Sequence, residues 1–193
     1  GNKMKYYVIS DTHFLHDNTI KYCNRPEDYN ERIIENWRKV VSDEDTVIHL
    51  GDVACGFTGR EAKLKQIFEL LPGRKQLIKG NHDTRVDMFY FDLGFETVKD
   101  YAIIENEGYK TLLCHYPLEI SLHDHKTSRA MQMELMSLFR DKKCSYLIHG
   151  HTHNAKPKYG FAFNASVERL NYTPIELQKC FEGLKSFQNI SYH

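Results

Sequence analysis

Five times in this 193-residue chain a β-type apolar run ends in a short polar cluster, and that recurrence limits the folds open to it more than any other feature. The clusters are Asp11-Thr12-His13 after residues 6–10, Gly51-Asp52 after 46–50, and Gly80-Asn81-His82-Asp83 after 76–79. His115 follows 111–114, and Gly150-His151-Thr152-His153 follows 146–149. In an open α/β sheet the loops at the carboxyl ends of strands converge on one crevice, so clusters far apart in sequence can meet there. Together they supply enough oxygen and nitrogen ligands for two metal ions sharing one bridging carboxylate. Asp11 and His13 lie two positions apart, as do His151 and His153, so each pair points one way if its backbone stays extended.

Segments of helical period separate the β-type runs, the pattern of an α/β domain. In 30–41, Ile33, Ile34, Trp37, Val40 and Val41 form one stripe of a helix. Leu64, Ile67, Phe68 and Leu71 do the same in 60–71, which Pro72-Gly73 stops. In 128–140, Met131, Leu135, Leu138 and Phe139 share a face and read as core. Thr173-Pro174-Ile175-Glu176 combines an N-cap, a first-turn proline and a capping-box Glu, which predicts a last helix. Further β-type runs at 96–104 and 160–165 extend or edge the sheet, and 105–108 reads as a hairpin turn.

The length and a 41% hydrophobic content suit one domain over residues 1–193. Lys plus Arg and Asp plus Glu total 26 each, so zero net charge gives no general grip on nucleic acid or on an anionic membrane. Apolar stretches are of strand length and no signal peptide opens the chain, which predicts a soluble, cytoplasmic protein. Five scattered cysteines without a CxxC pair argue against a disulfide framework and against a zinc–thiolate site; Cys55 is expected to be a small buried thiol. Gly1 reads as a remnant of tag cleavage.

Two dications would bring +4 to the clusters, of which Asp11 and Asp52 return −2, and the surplus suits a hydroxide and an anionic ester. A phosphate ester is therefore the expected substrate class.

In order and spacing, Asp11-x-His13, Gly51-Asp52, Gly80-Asn81-His82-Asp83, His115 and Gly150-His151-x-His153 resemble the signature of the calcineurin-like metallophosphoesterases. The resemblance implies a four-layer αββα sandwich of two mixed sheets flanked by helices. It assigns Asp11, His13 and His153 to one metal, Asn81, His115 and His151 to the other, and Asp52 as the bridge. It also makes His82 the catalytic histidine, with Asp83 expected to orient it. With all-N/O ligands, the implied pair of divalent ions is open among Mn, Fe, Zn and Ni.

The family's protein phosphatases continue the second block as GDxVDRG, whereas this chain reads Gly51-Asp52-Val53-Ala54-Cys55-Gly56 and lacks that Asp–Arg pair. The shorter chain resembles the compact bacterial and phage-type members. His16, Asn18 and Arg25, downstream of the first block, are candidates to contact substrate phosphate, Arg25 through its fork of donors. His123-Asp124-His125 is expected to be solvated surface, and His49 and His149 are expected to be satisfied core histidines. A nuclease and a non-catalytic interaction scaffold are the competing functional readings.

Overall fold

The computed structural model describes residues 3–189, so Gly1 lies outside them. Its elements run β1 (Tyr6–Ile9), α1 (Asn18–Tyr22), α2 (Tyr29–Val40), β2 (Thr46–His49), α3 (Glu61–Glu69), β3 (Arg74–Ile78), α4 (Asp87–Asp92) and β4 (Phe95–Lys99). Then come β5 (Ala102–Asn106), β6 (Tyr109–Leu113), α5 (Lys126–Asp141), β7 (Tyr146–His149), β8 (Ala162–Asn164) and β9 (Ile175–Glu176). One sheet has the order β4-β3-β2-β1-β9, the other β5-β6-β7-β8. In the first, β1 to β4 are parallel and β9 is antiparallel; in the second, only the β5–β6 pair is antiparallel.

Strand alternation produces the layering. Ile9, Val47 and Leu77 pack with Ile33, Trp37, Leu64 and Phe68, so α2 and α3 cover the outer face of the first sheet. Leu112 and Leu147 pack with Leu135 and Phe139, placing α5 on the outer face of the second. Their chain neighbours Val8, Ile48, Ile78, Leu113 and Ile148 turn the other way and meet one another between the sheets. The result is the expected four-layer αββα sandwich of two mixed sheets.

Three of the expected helices form close to their predicted limits, and the 105–108 hairpin turns on Glu107 and Gly108, both at positive φ. The run at 96–104 divides, however: β4 edges one sheet and β5 the other, so the chain changes layer between them. The last expected helix is absent. Ile175 and Glu176 instead pair with Val8 and Tyr7 along the open edge of β1, and a 3₁₀ stretch at Leu177–Phe181 buries Cys180 between the sheets. An unpaired strand edge and an inter-sheet gap outweigh a local capping signal worth about 1 kcal/mol.

His49 and His149 are fully buried. Both ring nitrogens of His49 are engaged: Nδ1 accepts from the Gly51 amide at 3.0 Å, and Nε2 faces Thr12 Oγ1 at 2.9 Å. Thr12 gives its hydroxyl proton to Val53 O, so Nε2 must be the donor and the ring must be neutral. His149 lodges Nδ1 on Gly150 O at 2.8 Å, while its buried Nε2 has no partner among the described residues.

Burial lowers the pKa of His49 from its ordinary 6.5 to about 3. Between those values the unfolded chain binds a proton that the fold refuses, so stability is lost as pH falls. The expected contribution is ~1.4 kcal/mol per pH unit. Unfolding free energies measured in denaturant between about pH 5.5 and 4.5 should show a slope that His49→Gln reduces by that amount.

Candidate metal centre

The parallel strands β1, β2 and β3 deliver Asp11, Asp52 and Asn81 at their carboxyl ends, while β6 and β7 deliver His115, His151 and His153. Two groups form. Asp11, His13 and His153 converge, with Asp11 Oδ1 at 3.5 Å from His13 Nε2 and 3.8 Å from His153 Nε2. Asp52, His115 and His151 form the second; His115 Nε2 lies 3.3 Å from Asp52 Oδ2, 3.2 Å from His151 Nδ1 and 3.1 Å from Asn81 Oδ1. Asp52 Oδ2 also lies 3.5 Å from His13 Nε2, so this single oxygen faces both groups.

The DxH segment is not extended, contrary to the sequence expectation. Asp11, His13 and Leu15 have φ of 58°, 44° and 65°, and His151 and His153 have 74° and 48°. A non-glycine residue in this region costs about 1–2 kcal/mol, so the turn needs outside support. The amides of Asp11 and His13 donate to Gly51 O and Asp52 O at 2.9 and 3.0 Å. Arg25 donates to Asp11 O and Thr12 O at 2.5 and 2.7 Å, and the Tyr29 hydroxyl donates to His13 O at 2.5 Å.

Three consecutive carbonyls are thereby fixed, and the Arg25 side chain is wholly buried doing so. Its Nε donates to Glu168 Oε2 at 2.8 Å, and the same oxygen accepts from His153 Nδ1 at 2.9 Å. Arg25 is therefore a clamp on the site's backbone, not the expected phosphate contact.

Hydrogen bonding leaves particular atoms free. Asp11 Oδ2 accepts from Ser10 Oγ (2.7 Å), the His151 amide (2.8 Å) and Ser166 Oγ (3.3 Å). Its Oδ1 and His13 Nε2 are buried without a hydrogen-bond partner among the described residues. His115 Nδ1 sits 2.7 Å from Leu50 O and donates to it, which turns Nε2 toward Asn81 Oδ1 and Asp52 Oδ2. Unpartnered oxygen and nitrogen atoms converging in a buried polar site fit divalent cations. The glycines keep the space: a Cβ on Gly80 would collide with the Asp52 carboxylate, and one on Gly150 with Ser10 and Asp11.

Charge is balanced within the site. Burial opposes ionisation of Asp11 and Asp52, but His115 and other neighbouring imidazoles hold both carboxyls well below the usual range. Burial likewise opposes charging of His115, yet Asp52 and Asp11 push it up to about 10. His153 rises to about 11 against its own burial, through hydrogen bonding to Cys23 and Glu168.

His82 is exposed at the mouth, its ring 5.6 Å from that of His13, and its amide donates to Asp52 Oδ1 at 2.9 Å. Asp83 does not orient it as expected. Its carboxylate accepts from the amides of Asp52, Gly80 and Val53 at 2.7, 2.7 and 3.0 Å, and so locks the β2 loop to the β3 loop. Burial and the Asp52 charge raise the Asp83 pKa to about 6.

His16 is half-buried, with Nδ1 3.1 Å from His13 Nδ1, whereas Asn18 is exposed at the start of α1. Cys55 is only half-buried, and desolvation raises its pKa. Asp124 departs from the solvated-surface expectation by holding His151 Nε2 at 3.0 Å, while His123 and His125 are exposed.

Glu168, Tyr29 and the partner role of Asp124 carried no sequence motif. Arg25 stood out, with a different role. Arg25→Met should leave the Glu168 carboxylate buried without its cation and lower unfolding free energy by ~3–5 kcal/mol in denaturant titrations. A side chain that only touched substrate would leave that value unchanged.

Residues 4–165 match the model of the calcineurin-like phosphoesterase superfamily domain. An uncharacterized protein of Methanocaldococcus jannaschii is 36% identical over 184 residues, covering 90% of this chain and 87% of its own. The gene 66 protein of Mycobacterium phage L5 is 32% identical over 167 residues, with 77% of each chain covered. Among solved structures, a protein of unknown function from Aquifex aeolicus is 34% identical with a TM-score of 0.78, covering 93% of this chain and 99% of its own. With its sandwich of two mixed sheets and this family match, the chain belongs to the calcineurin-like phosphoesterase superfamily.

Proposed function

We propose that the chain is a binuclear metal-dependent phosphoesterase acting on a phosphate monoester or diester of a small molecule or nucleotide. The observation that carries this reading is Asp52 Oδ2, placed 3.3 Å from His115 Nε2 and 3.5 Å from His13 Nε2, between two convergent His/Asp groups of which the first holds the unpartnered Asp11 Oδ1 and His13 Nε2. Asp11, His13 and His153 would hold one ion, Asn81, His115 and His151 the other, with Asp52 shared. Bound there, divalent ions supply Lewis-acid polarisation of phosphoryl oxygens and a lowered pKa for water.

The protein's own groups do the rest. The Asp83 carboxylate ties the Asp52 loop to the Gly80 turn, and this fixes where the His82 backbone starts. The hydrogen bond from the His82 amide to Asp52 Oδ1 couples the general acid to the bridging carboxylate. From the mouth of the site, the His82 imidazole assists the leaving oxygen by proton donation. His16, against His13 and with its ring 6.5 Å from that of His82, would contact the phosphate, and Asn18 two residues on would reach its outer side. Two intact ligand groups together with His82 favour hydrolysis over a scaffold role.

Metal content and turnover of p-nitrophenyl phosphate and its bis-ester, with and without Mn²⁺, test the proposal. The expected result is two ions per chain and metal-dependent hydrolysis; two ions with no turnover of either ester would favour a scaffold. Asp52→Asn should lose metal and activity together. His82→Ala should keep its metal while kcat falls by ~10²–10⁴; a fully active variant would end its assigned role.

A further inference from the structure

His151 and His153 each turn one ring nitrogen toward a ligand group and the other toward a carboxylate outside the five sequence clusters. For His153 that carboxylate is Glu168, whose charge the buried Arg25 balances on the same oxygen. For His151 it is Asp124, held by a neutral group: Gln132 Nε2 donates to Asp124 Oδ2 at 3.0 Å, and Gln132 is itself fully buried on α5. The Asp124 amide donates to Ser121 O at 3.1 Å, which closes the end of the loop beneath the carboxylate.

We infer that Asp124 is the positioning residue of the Asn81–His115–His151 group and straps the segment between β6 and α5 to that group. The inference rests on the two-ion reading above. His151 Nδ1 faces His115 Nε2 at 3.2 Å, so an ion bound to both nitrogens requires the His151 proton to sit on Nε2. Nε2 then donates to Asp124 Oδ1, at 3.0 Å, which fixes the ring plane and the tautomer and strengthens the nitrogen as a ligand. Residues 116–123 are thereby anchored at both ends on one group, by His115 on one side and by Asp124 on the other. Between the anchors stand Ile120 and Leu122, the latter 87% exposed.

By linkage, whatever the strap contributes to ion binding, ion binding returns to the strap. The order of the exposed stretch around Ile120 and Leu122 thus reports occupancy of one ligand group and not the other.

Calorimetric titration of the metal-free full chain with Mn²⁺, paired with chymotrypsin cleavage after Leu122, tests this. Wild type should bind two ions, and loading should slow the cleavage. Asp124→Ala should weaken one binding step by about 10–100-fold, leave the other unchanged, and abolish the Mn²⁺-dependent protection. Asp124→Asn, which keeps an acceptor without charge, should fall between the two. Unchanged affinities in Asp124→Ala, or equal weakening of both steps with a lowered Tm, would overturn the inference while the two-ion reading stood. A wild type that binds fewer than two ions would overturn both.

Discussion

The clamp on the Asp11–His13 turn is the constraint on which the site depends. A left-handed backbone at Asp11 and again at His13 is unfavourable for residues with a Cβ, yet it is what aims both side chains inward. Arg25 and Tyr29 hold the three carbonyls of that turn from behind, and the Arg25 ring-stacking contact on Tyr29, at 5.0 Å, makes the pair a unit. Glu168 neutralises Arg25 and reaches on to His153. One buried cation therefore sets the turn of the first sheet and the ligand of the second.

Electrostatics explains why such a site survives in a protein interior. Two buried carboxylates, Asp11 and Asp52, would be untenable alone. The imidazoles of His115 and His153, raised to about 10 and about 11, carry compensating charge when no cation does.

The strands, the three main helices and the polar clusters at the strand ends were legible in the sequence because each leaves a local trace. Alternation marks Val47 and Ile48 as facing opposite layers, and helical spacing marks Ile33 and Trp37 as one stripe. The remainder was set by tertiary contact. Thr173-Pro174 reads as a helix start, but the edge of β1 recruits Ile175 and Glu176. Arg25 looked like a substrate contact because guanidinium donors suit phosphate and carbonyl oxygens alike, and only burial decides between them. Asp124 and Glu168 are ordinary acidic loop residues until the fold carries them to His151 and His153. Asp83 belongs to a cluster that names it, yet its three backbone partners lie in two loops that no pattern connects.

The ligand-bearing strands are shared between layers: β1, β2 and β3 lie in one sheet, β6 and β7 in the other. Neither sheet completes either His/Asp group, and what aligns their contributions is the apolar seam of Val8, Ile48, Ile78, Leu113 and Ile148. A slip of one residue along that seam would turn these side chains away from one another and part the two halves of the site at once. The centre thus doubles as a check on assembly, since a half-folded chain completes neither group.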